Sequence, residues 1–97
     1  MPTYISLARW TDQGRRGISE SPRRLDAAKK MLQDMGGQVL AFYMTMGEHD
    51  MVVIYEAPDD AVAARFSLKS GQGGNIHGLT MKAFPETAYR EIVASLG

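Results

Sequence analysis

The first half of this 97-residue chain alternates between two hydrophobic periods. Residues 3–9 alternate apolar and polar positions, a period of two that predicts a β-strand. From Pro22 onward, apolar residues recur every three or four positions, which predicts a helix with one buried side. Gly36 and Gly37 end it, because glycine accepts the left-handed conformation found at helix C-termini. The pattern therefore predicts a strand followed by a covering helix.

The second half repeats this plan. Residues 38–46 and 51–57 predict two strands, and Pro58 opens a second helix that ends near Gly71. Residues 75–84 predict a fourth strand, and Pro85 opens a short last helix. The order β-α-β-β-α-β is the ferredoxin-like plan, an α+β fold with an antiparallel sheet, here followed by a C-terminal helix. We expect residues 1–97 to form a single domain, a common domain size.

Both faces of the predicted sheet are apolar. Strand alternation predicts that the helix-covered face carries Ile5, Leu7, Leu40, Phe42, Met44, Val52, Ile54, Leu79 and Met81. The opposite, open face is predicted to carry Tyr4, Ser6, Trp10, Val39, Tyr43, Thr45, Met51, Val53, Tyr55, Ile76 and Thr80. Such a face is too apolar to remain in water, which predicts either an interface between two copies or a ligand cavity between their sheets.

The hairpin Gly47–Asp50 combines a histidine with two carboxylates. Pairing Tyr43 with Tyr55 leaves Glu48, His49 and Asp50 as a three-residue loop. The three side chains then diverge around the turn and cannot converge on one metal ion. This predicts that the segment is mostly architectural.

Charge and composition narrow the function classes. Net charge is zero, with seven Lys/Arg against three Asp/Glu in residues 1–30 and the reverse excess afterwards. Neither a nucleic-acid module nor a membrane segment is predicted. The chain has no cysteine, which excludes thiolate catalysis and fits a cytoplasmic protein.

The candidate chemistry is limited to two histidines. His49 lies at the hairpin tip, where a solvated side chain is the simplest interpretation, and His77 is predicted on the helix-covered face as a partly buried side chain. Neither forms a recognisable triad or metal motif, so no metal or cofactor is expected. The glycines of SGQGGNIHG precede a strand rather than a helix, which excludes a phosphate-binding loop.

Several segments together resemble the GYD domain family, small bacterial and archaeal proteins named for a Gly…Tyr-Asp hairpin motif. The matching segments are WTDQG at Trp10–Gly14, Gly36-Gly37, Gly47 with Asp50, EAPDD at Glu56–Asp60, Gly74-Asn75 and Ala83-Phe84. His49 stands where the family has its tyrosine. The resemblance implies a ferredoxin-like fold that forms a dimeric α+β barrel, and it implies no particular activity.

Two functions follow as hypotheses. The first is a homo-oligomeric module that binds a small molecule on its open sheet face, through Tyr4, Trp10, Tyr43 and Tyr55. The alternative, by analogy with dimeric α+β barrels, is a cofactor-independent monooxygenase, isomerase or decarboxylase for a small aromatic or polyketide-like substrate. His49 or His77 would then be its acid/base residue.

Overall fold

The computed structural model describes residues 1–97 and has the predicted order of elements with one addition, a short helix and a 3-10 turn between the first strand and the first predicted helix. The four strands are β1 (Thr3–Trp10), β2 (Gln38–Met44), β3 (Met51–Glu56) and β4 (Ile76–Ala83). The helices are α1 (Asp12–Arg16), α2 (Ser21–Asp34), α3 (Asp60–Gln72) and α4 (Glu86–Ala94), with a 3-10 turn at Ile18–Glu20. The strands form one antiparallel sheet in the order β2-β3-β1-β4, so the fold is α+β and ferredoxin-like.

The core lies between this sheet and helices α2 and α3. Its buried members are Tyr4, Leu32, Tyr55, Ala57, Ala63 and Phe66. The ring of Tyr55 stacks on Tyr4 at 5.4 Å between centroids and meets the edge of Phe66 at 5.0 Å. Offset stacks and edge contacts are the geometries that aromatic quadrupoles favour.

The predicted assignment of the two sheet faces is wrong for β1, β3 and β4. Tyr4 and Tyr55 lie in the core beneath the helices, whereas Ile5, Leu7 and Ile54 lie on the opposite, open face. On the helix side, Tyr4 and Tyr55 pack with Leu32 of α2 and with Ala63 and Phe66 of α3 in one close-packed cluster.

A β-bulge at Leu40 adds a second correction. Val39 pairs with Tyr55, but Ala41 pairs with Ile54, so the residues of β2 after Leu40 change face relative to Val39. The predicted pairing of Tyr43 with Tyr55 is therefore wrong, because Tyr43 pairs with Val52. The bulge nevertheless leaves Tyr43 on the open face and Phe42 and Met44 on the helix side, as predicted.

The hairpin loop is longer than predicted. Met44 pairs with Met51, which leaves six residues, 45–50, in the connection. Gly47 has a positive φ of 128°, whereas Asp50 does not adopt the left-handed conformation that the predicted loop required. Asp50 instead accepts the backbone N–H of Trp10 at 3.0 Å and so ties the loop to β1.

Motifs WTDQG and Gly74-Asn75 form one structural clamp. The Thr11 hydroxyl donates to the Gly74 carbonyl at 2.6 Å, and the Gln13 side-chain amide donates to Asn75 at 3.0 Å. Gly14 packs against Asn75 so closely that a Cβ at position 14 would lie 2.1 Å from the Asn75 carbonyl oxygen. These segments hold α1 to the loop before β4.

The EAPDD motif is also architectural. Ala57 is fully buried, and Asp59 caps α3 by accepting the Val62 N–H at 2.9 Å. Asp60 accepts the Tyr4 hydroxyl at 2.5 Å and pairs with Lys82 at 3.1 Å. The carboxylates of the motif begin a helix and anchor a core tyrosine.

Candidate functional site

The open sheet face is an apolar surface without a covering layer. Its members, by strand register, are Ile5, Leu7, Ala41, Tyr43, Val52, Ile54, Leu79, Met81 and Ala83, with Thr3, Arg9, Glu56 and His77 near the strand ends. Leu79, Met81 and Tyr43 are 57%, 42% and 61% exposed. Contiguous apolar patches of this kind mark interaction sites.

Helix α4 is a second apolar surface without a partner. None of its residues is buried, and its Tyr89, Ile92 and Val93 are exposed, as is Leu96 just after its end. The radius of gyration is 14.6 Å, larger than the value of about 12.5 Å expected for a compact chain of this length. The chain alone leaves both surfaces uncovered.

A cleft of about 280 Å³ lies at one end of the open face, lined by Leu7, Arg9, His49, His77 and Leu79. Sheet register brings four of them together, because Leu7 pairs with Leu79 and Arg9 pairs with His77 across β1 and β4. We call this group the Arg9–His77 cleft. It combines a guanidinium and two imidazoles with two leucine walls.

His49 reaches the cleft because its loop is anchored on both sides. The Thr45 hydroxyl donates to the His49 carbonyl at 2.6 Å, and the next residue, Asp50, donates its N–H to the Ala8 carbonyl at 2.9 Å. Neither His49 nor His77 hydrogen-bonds through its imidazole to another side chain, so no carboxylate or hydroxyl orients the rings. The loop also supplies Glu48, which lies 3.5 Å from Arg9.

The predicted ligand-binding residues do not come together. Tyr4 and Tyr55 are buried in the core, so neither can line the open face. Trp10 is half-buried on the helix side, where its indole N–H donates to the Ser21 hydroxyl at 3.2 Å. Tyr43 alone lies on the open face.

The predicted positions of the histidines also change. His77 is exposed on the open face rather than partly buried under the helices. It lies on the same face of β4 as Leu79, and that face is the open one rather than the helix-covered one. His49 is half-buried rather than fully solvated. Arg9 was not identified from the sequence as a neighbour of the histidines. The signal was present, because Arg9 lies two residues after Leu7 in β1 and therefore on the same face of the sheet.

Three ionisable groups at the core have shifted pKa values. Burial, followed by the hydrogen bond to Asp60, raises the pKa of Tyr4 to about 12. The same hydrogen bond and the bond from Lys82 lower the pKa of Asp60. Burial raises the pKa of Tyr55, and the Thr80 hydroxyl, which is outside hydrogen-bonding geometry, offsets only part of that shift. None of these three groups lines the cleft.

Other sites are less promising. A cleft of about 420 Å³ between α2 and α3 is wide open, and its charged lining includes the surface pair Lys30–Asp34 at 3.6 Å. No three His, Asp or Glu side chains are grouped as metal ligands would be. No helix has the length and hydropathy needed to cross a bilayer.

Fold and surface define the class: a small ferredoxin-like α+β protein with one sheet face covered by helices and the other uncovered. The model of the GYD domain matches residues 4–93, so the chain belongs to the GYD domain family. The expected family is confirmed.

One relative has a known binding role in its name. The chain is 35% identical over 86 residues to the "Glutamine synthetase and cystathionine beta-lyase binding protein" of Thermus thermophilus. The match covers 88% of this chain and 90% of that protein.

Solved structures confirm the fold. The crystal structure of FFRP-DM1 matches with a TM-score of 0.60 at 21% identity, over 87% of this chain and 100% of that one. A Thermus thermophilus protein matches with a TM-score of 0.55 at 18% identity, over 88% and 95%. A hypothetical protein from Pyrococcus horikoshii matches with a TM-score of 0.56 at 21% identity, over 88% and 92%.

Proposed function

We propose that the protein is a cytoplasmic homodimeric binding module in which two open sheet faces pack together and enclose a small-molecule site. The observation that carries this proposal is the open face itself, whose central strands present Ile5, Leu7, Val52 and Ile54 with no covering layer. Burial of apolar area is the main favourable term in protein association. A second copy offers an equally apolar surface, and the lack of cysteine fits a reducing compartment.

The projected area of the open face is that of a small dimer interface. Four strands spaced by about 4.8 Å, with seven residues each at about 3.3 Å, present roughly 440 Å² in projection. Two such faces give about 900 Å² before side-chain relief is counted, somewhat below the roughly 1,000–1,200 Å² at which specific interfaces begin.

The geometry favours binding over catalysis. The imidazoles of His49 and His77 have no side-chain partner that would fix a tautomer or a direction of proton transfer, as a general acid/base normally requires. In the proposed dimer, the cleft lined by these histidines would instead hold a ligand by charge and by contact with Leu7 and Leu79.

A matched pair of variants tests the dimer. Leu79→Asp places a charge on the open face, whereas Leu68→Asp makes the same change at an exposed leucine of α3. Sedimentation equilibrium should give twice the 10.7 kDa protomer mass for wild type and Leu68→Asp, and the protomer mass for Leu79→Asp. A monomeric wild type at micromolar concentration would overturn the proposal.

A second candidate is binding of another protein, favoured by the name of the 35% identical relative. The exposed end of β2 and its loop offer Met44 and Met46, at 67% and 94% exposure, and methionine is common on adaptable binding surfaces. Purified glutamine synthetase and cystathionine beta-lyase should co-sediment with the protein, and Met46→Asp should weaken the complex. Equal binding to an unrelated oligomeric enzyme would remove this candidate.

A further inference from the structure

We propose that the Arg9–His77 cleft binds a small organic anion, a carboxylate on a compact apolar body, and binds it more tightly at acidic pH. This inference rests on the proposed dimer, because the second sheet would close the cleft from above. The open face by itself indicates only apolar contact, whereas the charged lining of the cleft indicates a class of ligand.

The cleft collects positive charge from three separate segments. Arg9 comes from β1, His77 from the facing position of β4, and His49 from the hairpin loop. A guanidinium forms two parallel hydrogen bonds with a carboxylate, and imidazole gains its charge between about pH 5 and pH 8. Three such groups around one cleft match an oxyanion better than a cation or a neutral molecule.

The negative groups nearby do not neutralise this charge firmly. Glu48 pairs with Arg9 at 3.5 Å, but its side chain is 82% exposed, and exposed ion pairs are weak and easily exchanged. Asp50 is directed to the Trp10 amide and to Arg15 at 3.7 Å. A ligand carboxylate can therefore replace Glu48 at Arg9 at little cost.

Other charged side chains lie elsewhere on these elements. Glu56 is on the open face but pairs with Thr3, at the opposite end of β1 from Arg9. Lys82, on β4, turns to the helix side and pairs with Asp60. The groups whose charge governs the cleft are therefore Arg9, His49, His77 and Glu48.

The remaining lining sets the shape of the ligand. Leu7 and Leu79 are directly paired and form an apolar wall beside the charged groups. The volume of about 280 Å³ lies at the lower end of ligand pockets, which hold small molecules. An anion with a flat or compact hydrocarbon body satisfies both parts of the lining.

Three probes separate charge from shape: benzoate carries the ring and the carboxylate, benzamide the ring alone, and inorganic phosphate the negative charge alone. Titration of the full chain, followed by the NMR shifts of the Leu7 and Leu79 methyls, should show benzoate binding most tightly. Binding at about pH 5.5 should exceed that at about pH 8 by about tenfold, the effect of roughly one partly screened charge contact. Benzamide or phosphate binding as tightly as benzoate would overturn the assignment.

Arg9→Gln and His77→Gln should each weaken benzoate binding, and His77→Gln should also reduce its pH dependence. Arg65→Gln, at an exposed arginine of α3, is the matched control and should bind as wild type does. Sedimentation of the same samples separates the two proposals. A dimer in which Arg9→Gln binds benzoate unchanged refutes the anion site alone, whereas a monomeric wild type refutes the dimer.

Discussion

Replacing Tyr55 by phenylalanine should stabilise the protein. The Tyr55 hydroxyl is buried and has no hydrogen-bond partner, while its ring contacts with Tyr4 and Phe66 do not involve the oxygen. An unsatisfied buried polar group costs about 1–3 kcal/mol, and Tyr55→Phe removes that group without changing the ring. Allowing for some relaxation, we expect a gain of about 1 kcal/mol in the free energy of unfolding.

Tyr4→Phe is the matched control, because it makes the same chemical change at a tyrosine whose hydroxyl donates to Asp60 at 2.5 Å. It should lower stability, opposite in sign to Tyr55→Phe. Thermal denaturation at one fixed protein concentration would measure both, since association shifts the transition. A gain of about 1 kcal/mol raises Tm by about 4–8 °C in a domain of this size. A Tyr55→Phe variant that melts below wild type would refute the reasoning, because it would show that the hydroxyl has a partner.

Two further predictions concern glycine packing and pH. Gly37→Ala should destabilise the fold, because its Cβ would lie 2.4 Å from the Glu56 carbonyl oxygen. Gly71→Ala, in the last turn of α3 with nothing within 4 Å of the new Cβ, should stabilise the fold by about 0.5–1 kcal/mol. Urea denaturation compares the two variants, and equal effects on stability would contradict the packing at Gly37. Because the pKa of Tyr4 is raised to about 12, its stabilising contribution is present below about pH 10 and is lost as the pH rises toward 12. Because the pKa of Asp60 is lowered, its contribution is present above about pH 4 and is lost on further acidification. The free energy of unfolding, measured across the acidic and the alkaline range for wild type and Tyr4→Phe, tests both pH dependences. A wild type whose stability does not fall in alkali would contradict the one assigned to Tyr4.

Element order was predictable because each signal is local. Pro22 and Gly36 delimit α2, Asp59 caps α3, and Pro85 precedes α4, each by short-range backbone chemistry. These signals need no knowledge of what packs where.

The sheet faces were not predictable in the same way. Alternation separates two sets of residues in each strand, but both sets are apolar here, so composition does not say which one the helices cover. In the structure, Tyr4 and Tyr55 pack against Leu32 of α2 and Ala63 of α3, and such packing between separate elements cannot be read from any one strand.

The candidate site depends on which sheet face the helices cover and on the bulge at Leu40. His77 and Arg9 meet because β1 and β4 are neighbours, and both reach the open face because the tyrosines occupy the other. The bulge at Leu40 then keeps Tyr43 on that face. The sequence around the bulge carries no signal that predicts it, because Leu40 is an ordinary strand residue.

The central claim, that two open sheet faces pack together, is tested most directly by isotope-filtered NOEs in a mixture of labelled and unlabelled chains. The account predicts intermolecular NOEs from the methyls of Leu7, Ile54 and Leu79, and none from Leu32, which is fully buried beneath the sheet's other face. No intermolecular NOEs at millimolar concentration, or NOEs from the outer surfaces of α2 and α3 alone, would contradict it.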